Sequence, residues 1–134
     1  SVPIARYARL ANVGPLKVVG KLTVKGKKMK VKVKCPARFT SCKKAKVVIR
    51  AKGKVRGFKK PLLAKRGGLQ AGPGKTRAFN VSLTNKARKM FRDKRFRKRG
   101  KVKVRKGAKK VRATVTVNGK RAGQKTVVRV GKVR

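Results

Sequence analysis

From Lys28 to Cys35 the chain reads Lys-Met-Lys-Val-Lys-Val-Lys-Cys, with a cation at every second position and an apolar residue between. Successive side chains of an extended strand point to opposite faces, so Met29, Val31, Val33 and Cys35 share one face and Lys28, Lys30, Lys32 and Lys34 the other. A helix would spread the same lysines around its whole circumference and leave no apolar stripe to bury. The segment therefore predicts a half-buried strand with a wholly cationic outer surface. Whatever covers its inner face must be apolar, and whatever meets its outer face must be water or negative charge.

The same period recurs along the chain. Residues 45–51 place Ala45, Val47, Ile49 and Ala51 inward, and residues 76–83 place Phe79, Val81 and Leu83 together. Residues 101–104 give a further strand, and Val111, Ala113, Val115 and Val117 share a face in a long one that runs into Asn118-Gly119. An Asn-Gly pair between alternating runs is a strong hairpin signal, with residues 126–130 as the return strand. Upstream, residues 16–24 form another candidate, opened by Gly14-Pro15. Between these runs stand turn signals at Lys25-Gly26, Lys52-Gly53, Gly67-Gly68, Gly72-Pro73-Gly74, Gly100 and Gly107. About seven short strands at this spacing read as a sandwich or barrel. One short helix interrupts them, from Asn85 or Lys86 to about Asp93, with Thr84 or Asn85 as N-cap and Ala87, Met90 and Phe91 at helical spacing.

Charge narrows the function. Of 134 residues 46 are Lys or Arg, one is acidic and none is His, for a formal net charge of +45. Asp93, among Arg92, Lys94 and Arg95, is read as a local ion-pair partner. The chain thus lacks a carboxylate pair, a His-based proton shuttle and the usual metal-ligand clusters, so a non-enzymatic role with no cofactor and no metal is expected. No apolar run approaches the ~20 residues of a membrane span. Gly72-Pro73-Gly74-Lys75-Thr76 lacks the first glycine of a P-loop and leads into a strand, so it is read as a turn. The six aromatics, Tyr7, Phe39, Phe58, Phe79, Phe91 and Phe96, do not have the spacing of a base-stacking platform; Phe79 and Phe91 are assigned to the core.

Two cysteines, Cys35 and Cys42, flank a short turn-rich loop. A bridge across it and two unlinked core thiols are both open readings, while zinc would lack two ligands. The ordered elements Val-Lys-Val-Lys-Cys-Pro (31–36), Cys42 before the strand at 46–51, Leu-Thr-Asn-Lys-Ala-Arg-Lys-Met-Phe (83–91) and Ala-Thr-Val-Thr-Val (113–117) resemble immunoglobulin-like domains in secreted and surface proteins of actinobacterial type. The resemblance covers about residues 16–134. It implies an immunoglobulin-like antiparallel β-sandwich with one short helix, secretion, a Cys35–Cys42 bridge, and a spacer or adhesive module without a catalytic motif. The near-absence of acidic residues departs from that pattern and disfavours a neutral spacer. The start at Ser1 is equally consistent with a processed secreted chain and with an arbitrary boundary.

The expected organisation is an N-terminal arm, residues 1–14, and one sandwich domain, residues 15–134. The arm is locally apolar, and Ile4, Tyr7 and Leu10 are its candidate subunit contacts, either folded back on its own domain or added as a strand to a neighbour. The candidate nucleic-acid contacts are Lys28, Lys30, Lys32, Lys34, Lys44, Lys46 and Arg50 on the outer faces of strands, with the basic run Arg95, Arg97, Lys98, Arg99, Lys101, Lys103 and Arg105. A compact chain of this length is roughly 35 to 40 Å across and spans only about 20 duplex phosphates, so its charge exceeds what one duplex face can neutralise. Lysines outnumber arginines 29 to 17, which favours backbone neutralisation over base reading. The sequence thus predicts a secreted cationic protein that coats or bundles nucleic acid, DNA in the first place and without sequence preference, as a homo-oligomer or filament. The alternatives are a ribosomal or nucleoid-type protein of the cytoplasm and a cell-envelope module for anionic polysaccharide.

Overall fold

The alternating segments become strands. The computed structural model describes residues 12–52, 54–55, 58–92, 109–121 and 126–134. Its elements are β1 (Val13–Gly14), β2 (Lys17–Gly26), β3 (Lys28–Lys34), β4 (Ser41–Cys42), β5 (Ala45–Ala51), β6 (Lys54–Val55), β7 (Phe58–Lys59), β8 (Leu62–Leu69), β9 (Thr76–Ser82), α1 (Asn85–Arg92), β10 (Lys109–Val117), β11 (Lys120–Arg121) and β12 (Thr126–Val133). Met29, Val31, Val33 and Cys35 are fully buried, and the four lysines that alternate with them are exposed. On β5, Ala45, Val47, Ile49 and Ala51 point inward, and on β10 Val111, Ala113, Val115 and Val117 do so.

Seven strands hydrogen-bond in one continuous series, β8-β5-β10-β12-β2-β3-β9, with β11 beside β10. The main sheet coils through 277° into a nearly closed barrel. This overturns the expected immunoglobulin-like antiparallel sandwich, which needs two facing sheets. The series is not wholly antiparallel either, since β12 and β2 run parallel. Period-two burial marks one buried face per strand and is the same for both architectures. What decides between them is whether the hydrogen-bonded series breaks. Here β12 pairs with β10 on one side and with β2 on the other, so the ladder carries on around the core.

Bulges supply the curvature. Between the pairs Ala45↔Leu69 and Val47↔Arg66, β8 uses one more residue than β5. The extra length falls at Gly67-Gly68, where Gly68 takes φ 70. The sequence reading treats that pair as a turn and finds no strand over 62–69; the glycines instead kink a strand from within. A second bulge, between Val130 and Val133 on β12, includes Gly131, whose backbone lies so near the Val24 carbonyl that an added Cβ would stand 3.1 Å from it. The expected strand at 101–104 lies outside the described residues.

Helix α1 lies beside β8 and the end of β12. Thr84 is its N-cap: the hydroxyl accepts from the Ala87 N–H at 3.1 Å and donates to the Leu62 carbonyl at 2.7 Å. Ala87, Met90 and Phe91 are buried, as the helical spacing requires. At the end of β3, a disulfide joins Cys35 and Cys42. The loop it closes carries Phe39, half-buried against the core, and is tied to the chain entering the barrel. Asn12 O accepts from the Thr40 N–H, and Gly14 O from the Lys43 N–H.

Gly14 packs directly on the Phe39 ring, where a Cβ would overlap three ring carbons. Gly14→Ala should therefore expel the ring and destabilise the fold by ~1–3 kcal/mol, read as a lower denaturation midpoint. Phe39→Leu combined with it should restore part of the loss. Replacing both cysteines by serine should cost ~2–3 kcal/mol, from the short loop left open in the unfolded chain, measured in the same way.

Candidate polyanion-binding surface

Curling the sheet with its apolar face inward puts the strand cations on a convex outer wall. The lysines of β3 stand between β2 and β9, and their neighbours follow from the register. Lys30 faces Thr23 on one side and Asn80 on the other, and Lys32 faces Val19 and Ala78. These two charges are separated laterally by neutral residues. Lys28 faces Lys25 on β2 and donates to the Ser82 hydroxyl at 2.7 Å on β9. Lys34 faces Lys17, and around the wall Lys110 on β10 faces Arg129 on β12. Like charges directly opposite each other destabilise a sheet.

Lys44, Lys46 and Arg50 are also exposed, but the structure does not join them to the β3 lysines. Lys46 and Arg50 belong to β5 and Lys44 stands just before it; β5 is four strands from β3 along the series. Beside them, Asn118 in the hairpin turn (φ 50) accepts from the Lys46 backbone N–H at 2.8 Å through its side-chain oxygen. Arg50 donates to the Lys60 carbonyl at 3.3 Å. The candidate contacts thus form two separate cationic walls. Arg95, Arg97, Lys98, Arg99, Lys101, Lys103 and Arg105 lie outside the described residues, as do Ile4, Tyr7 and Leu10.

The two end strands of the coiled sheet, β8 and β9, meet along a seam. At one end it is closed by the Ala64↔Leu83 bridge and by the Thr84 N–H on the Leu63 carbonyl. At the other end it is laced by side chains. Arg66 of β8 donates to the Asn80 carbonyl of β9 at 3.0 Å, and Arg77 of β9 donates to the Gln70 carbonyl just beyond β8 at 3.2 Å. Phe79 lies beside both, with the Arg66 and Arg77 guanidinium carbons 5.2 and 4.9 Å from its ring centroid. Phe79 is therefore only half-buried, packed against the core at the seam, because among the described residues no strand pairs with β9 on that side. Arg66 and Arg77 are absent from the sequence-based candidates. Their one signal is that Arg77 occupies an inward position in the run that ends in Phe79, Val81 and Leu83.

A groove of about 1160 Å³ opens between the start of β2 and the β10–β12 hairpin. Val13 and Val127, the most exposed large apolar side chains described, both line it. Among the described residues no group of three His, Cys, Asp or Glu could hold a metal ion, and no helix is long and apolar enough to cross a membrane. Compared with protein-family models, with curated proteins and with solved structures, the chain matches none.

The facing cations make stability depend on ionic strength. The thermal midpoint should rise as salt is added from low concentration, because screening relieves repulsion across Lys17↔Lys34, Lys25↔Lys28 and Lys110↔Arg129. Lys17→Glu, which turns one repulsive pair into an attractive one, should stabilise by ~0.5–1 kcal/mol at low salt. That gain should shrink at high salt.

Proposed function

We propose that this protein is a non-enzymatic, cationic structural protein that coats nucleic acid, DNA in the first place, through its phosphates. The observation that carries the reading is the outer wall of β3. Four exposed lysines alternate along one strand, joined by Lys17 and Lys25 across the β2 register, with no carboxylate side chain among the described residues. A wall built of flexible, strongly hydrated ammonium groups suits a row of phosphates whose positions vary, and it reads no bases. The second wall at β5 faces elsewhere, so one molecule can hold two polymer segments. The Cys35–Cys42 disulfide supports an oxidising, extracellular setting.

Copies gathered on one polymer reach a high local concentration. In this reading the arm bearing Ile4, Tyr7 and Leu10 reaches the groove of a second copy, whose valines Val18, Val19, Val115 and Val127 give those side chains an apolar seat. Head-to-tail contacts of that kind do not close and build a filament.

Counterion release gives the coat a measurable signature. Duplex affinity should fall ~10³–10⁵-fold between 50 and 200 mM salt for a footprint of about six to ten phosphates, equally for unrelated sequences. Substituting alanine for Lys28, Lys30, Lys32 and Lys34 together should flatten the salt slope by roughly 0.9 per phosphate that is no longer neutralised. Affinity indifferent to salt, or confined to one sequence, would refute the reading. Deleting residues 1–11 should leave duplex binding intact and abolish ordered filaments in electron micrographs.

A further inference from the structure

The seam between β8 and β9 holds two cations where the fold calls for apolar side chains. Arg77 is opposite Val33 on β3, and Arg66 is opposite Val47 on β5. Both valines are buried, so both arginines occupy inward rows of the barrel. They are nevertheless exposed, because the wall does not close over them. Each crosses the seam to the other strand's side to reach a backbone carbonyl, and each guanidinium lies by the same ring. Both guanidinium carbons are within 5.2 Å of the Phe79 centroid, so the two are at most twice that distance apart.

This arrangement fixes position without neutralising charge. A guanidinium has five N–H donors in a rigid fork, and each carbonyl engages one nitrogen. The ring restrains the plane through cation–π attraction. No described residue carries a carboxylate that could compensate the pair. Two like charges held this near each other gain from an anion placed between them. N–H···O bonds of about 2.8 Å put a guanidinium carbon about 4 Å from phosphorus, so one phosphate can bridge two guanidiniums about 8 Å apart, a separation inside the limit that the ring distances set.

We infer that Arg66 and Arg77, steadied by Phe79 at the β8–β9 seam, form a phosphate-binding fork. It differs in kind from the lysine walls: it is preorganised, bidentate and confined to one place. Its ligand chemistry is a phosphate oxyanion, either a free phosphate ion or a phosphodiester of the coated polymer. The second source rests on the function proposed above.

The test uses the whole protein with ¹⁵Nε-labelled arginine, following the Nε–Hε resonances as inorganic phosphate and then a short DNA duplex are added. Arg66 and Arg77 should shift together and saturably, ahead of Arg50, which also has a carbonyl partner but no ring contact among the described residues. The double variant Arg66→Lys, Arg77→Lys keeps the net charge. It should lose the saturable phosphate response and bind duplex about tenfold more weakly, while Lys30→Ala with Lys32→Ala, which removes two charges, should cost only about threefold. A double-lysine variant that binds phosphate and duplex as the parent does would overturn the fork and assign the arginines to barrel closure alone. Duplex binding with both resonances unmoved would also overturn it, while leaving the coat reading in place. Response to phosphate without any binding of duplex would uphold the fork for free phosphate and refute the coat. Should the variant fail to fold, the resonances of the parent protein still decide.

Discussion

Repulsion among cations of one sign is the constraint around which this fold is built. With 46 basic residues and one acid, ion pairing cannot offset it, and only spacing and solvent remain. Alternation places lysines about 6.7 Å apart along a strand, inside the screening length of physiological salt, where a pair of unit charges in water still repels by ~0.6 kcal/mol. Neighbouring strands are nearer still, at about 4.8 Å. What stands opposite each lysine therefore matters more than what stands two residues away. Lys30 and Lys32 have neutral residues on both sides. Closing the sheet helps as well, because charges on a convex wall splay outward from one another, whereas the outer face of a flatter sandwich would keep them at strand spacing.

In the function proposed above, the same wall links folding to binding. A polyanion that neutralises the outer face lowers the energy of the folded state and adds to its stability by mass action. The fold does not depend on this alone. Its interior is a cluster of buried apolar side chains from Leu16 to Val133, helix α1 lies beside β8 and β12, and the disulfide loop is pinned at the end of β3 by Asn12 and Gly14. The barrel is thus held by burial, to which its outward charges contribute nothing.

Much of this was legible in the sequence, for reasons that differ from element to element. Strands β3, β5 and β10 read directly, because strict alternation admits one register of burial. Helix α1 read through Thr84 and the spacing of Ala87, Met90 and Phe91, each a local signal. The architecture did not read: a residue pointing inward looks the same whether its strand lines a sandwich or a barrel, and the ladder from β12 to β2 is a contact between distant segments. Strand β8 was hidden by Gly67-Gly68, since the chemistry that permits a turn also permits a bulge. The candidate surface was legible as a set of outward lysines on β3 and β5. Their separation onto two walls was not, because it depends on strand order.

The place where local and global signals disagree is the seam. Binary patterning puts an apolar residue at every inward position, and a sequence that breaks the pattern points to a site where something other than core packing is served. Arg77 breaks it two residues before Phe79. Read within the strand alone, it is a charge on the wrong face. Placed in the barrel, it marks where the wall stops: β9 has β3 on one side, and on the other, among the described residues, no strand ladder but the arginine links from Arg66 to the Asn80 carbonyl and from Arg77 to the Gln70 carbonyl. A fully closed barrel would have to bury both guanidiniums at a cost of several kcal/mol each. An open seam keeps them in water and lets Phe79 lose only part of its burial. The incomplete turn of the sheet and the exposed arginine pair are therefore one feature.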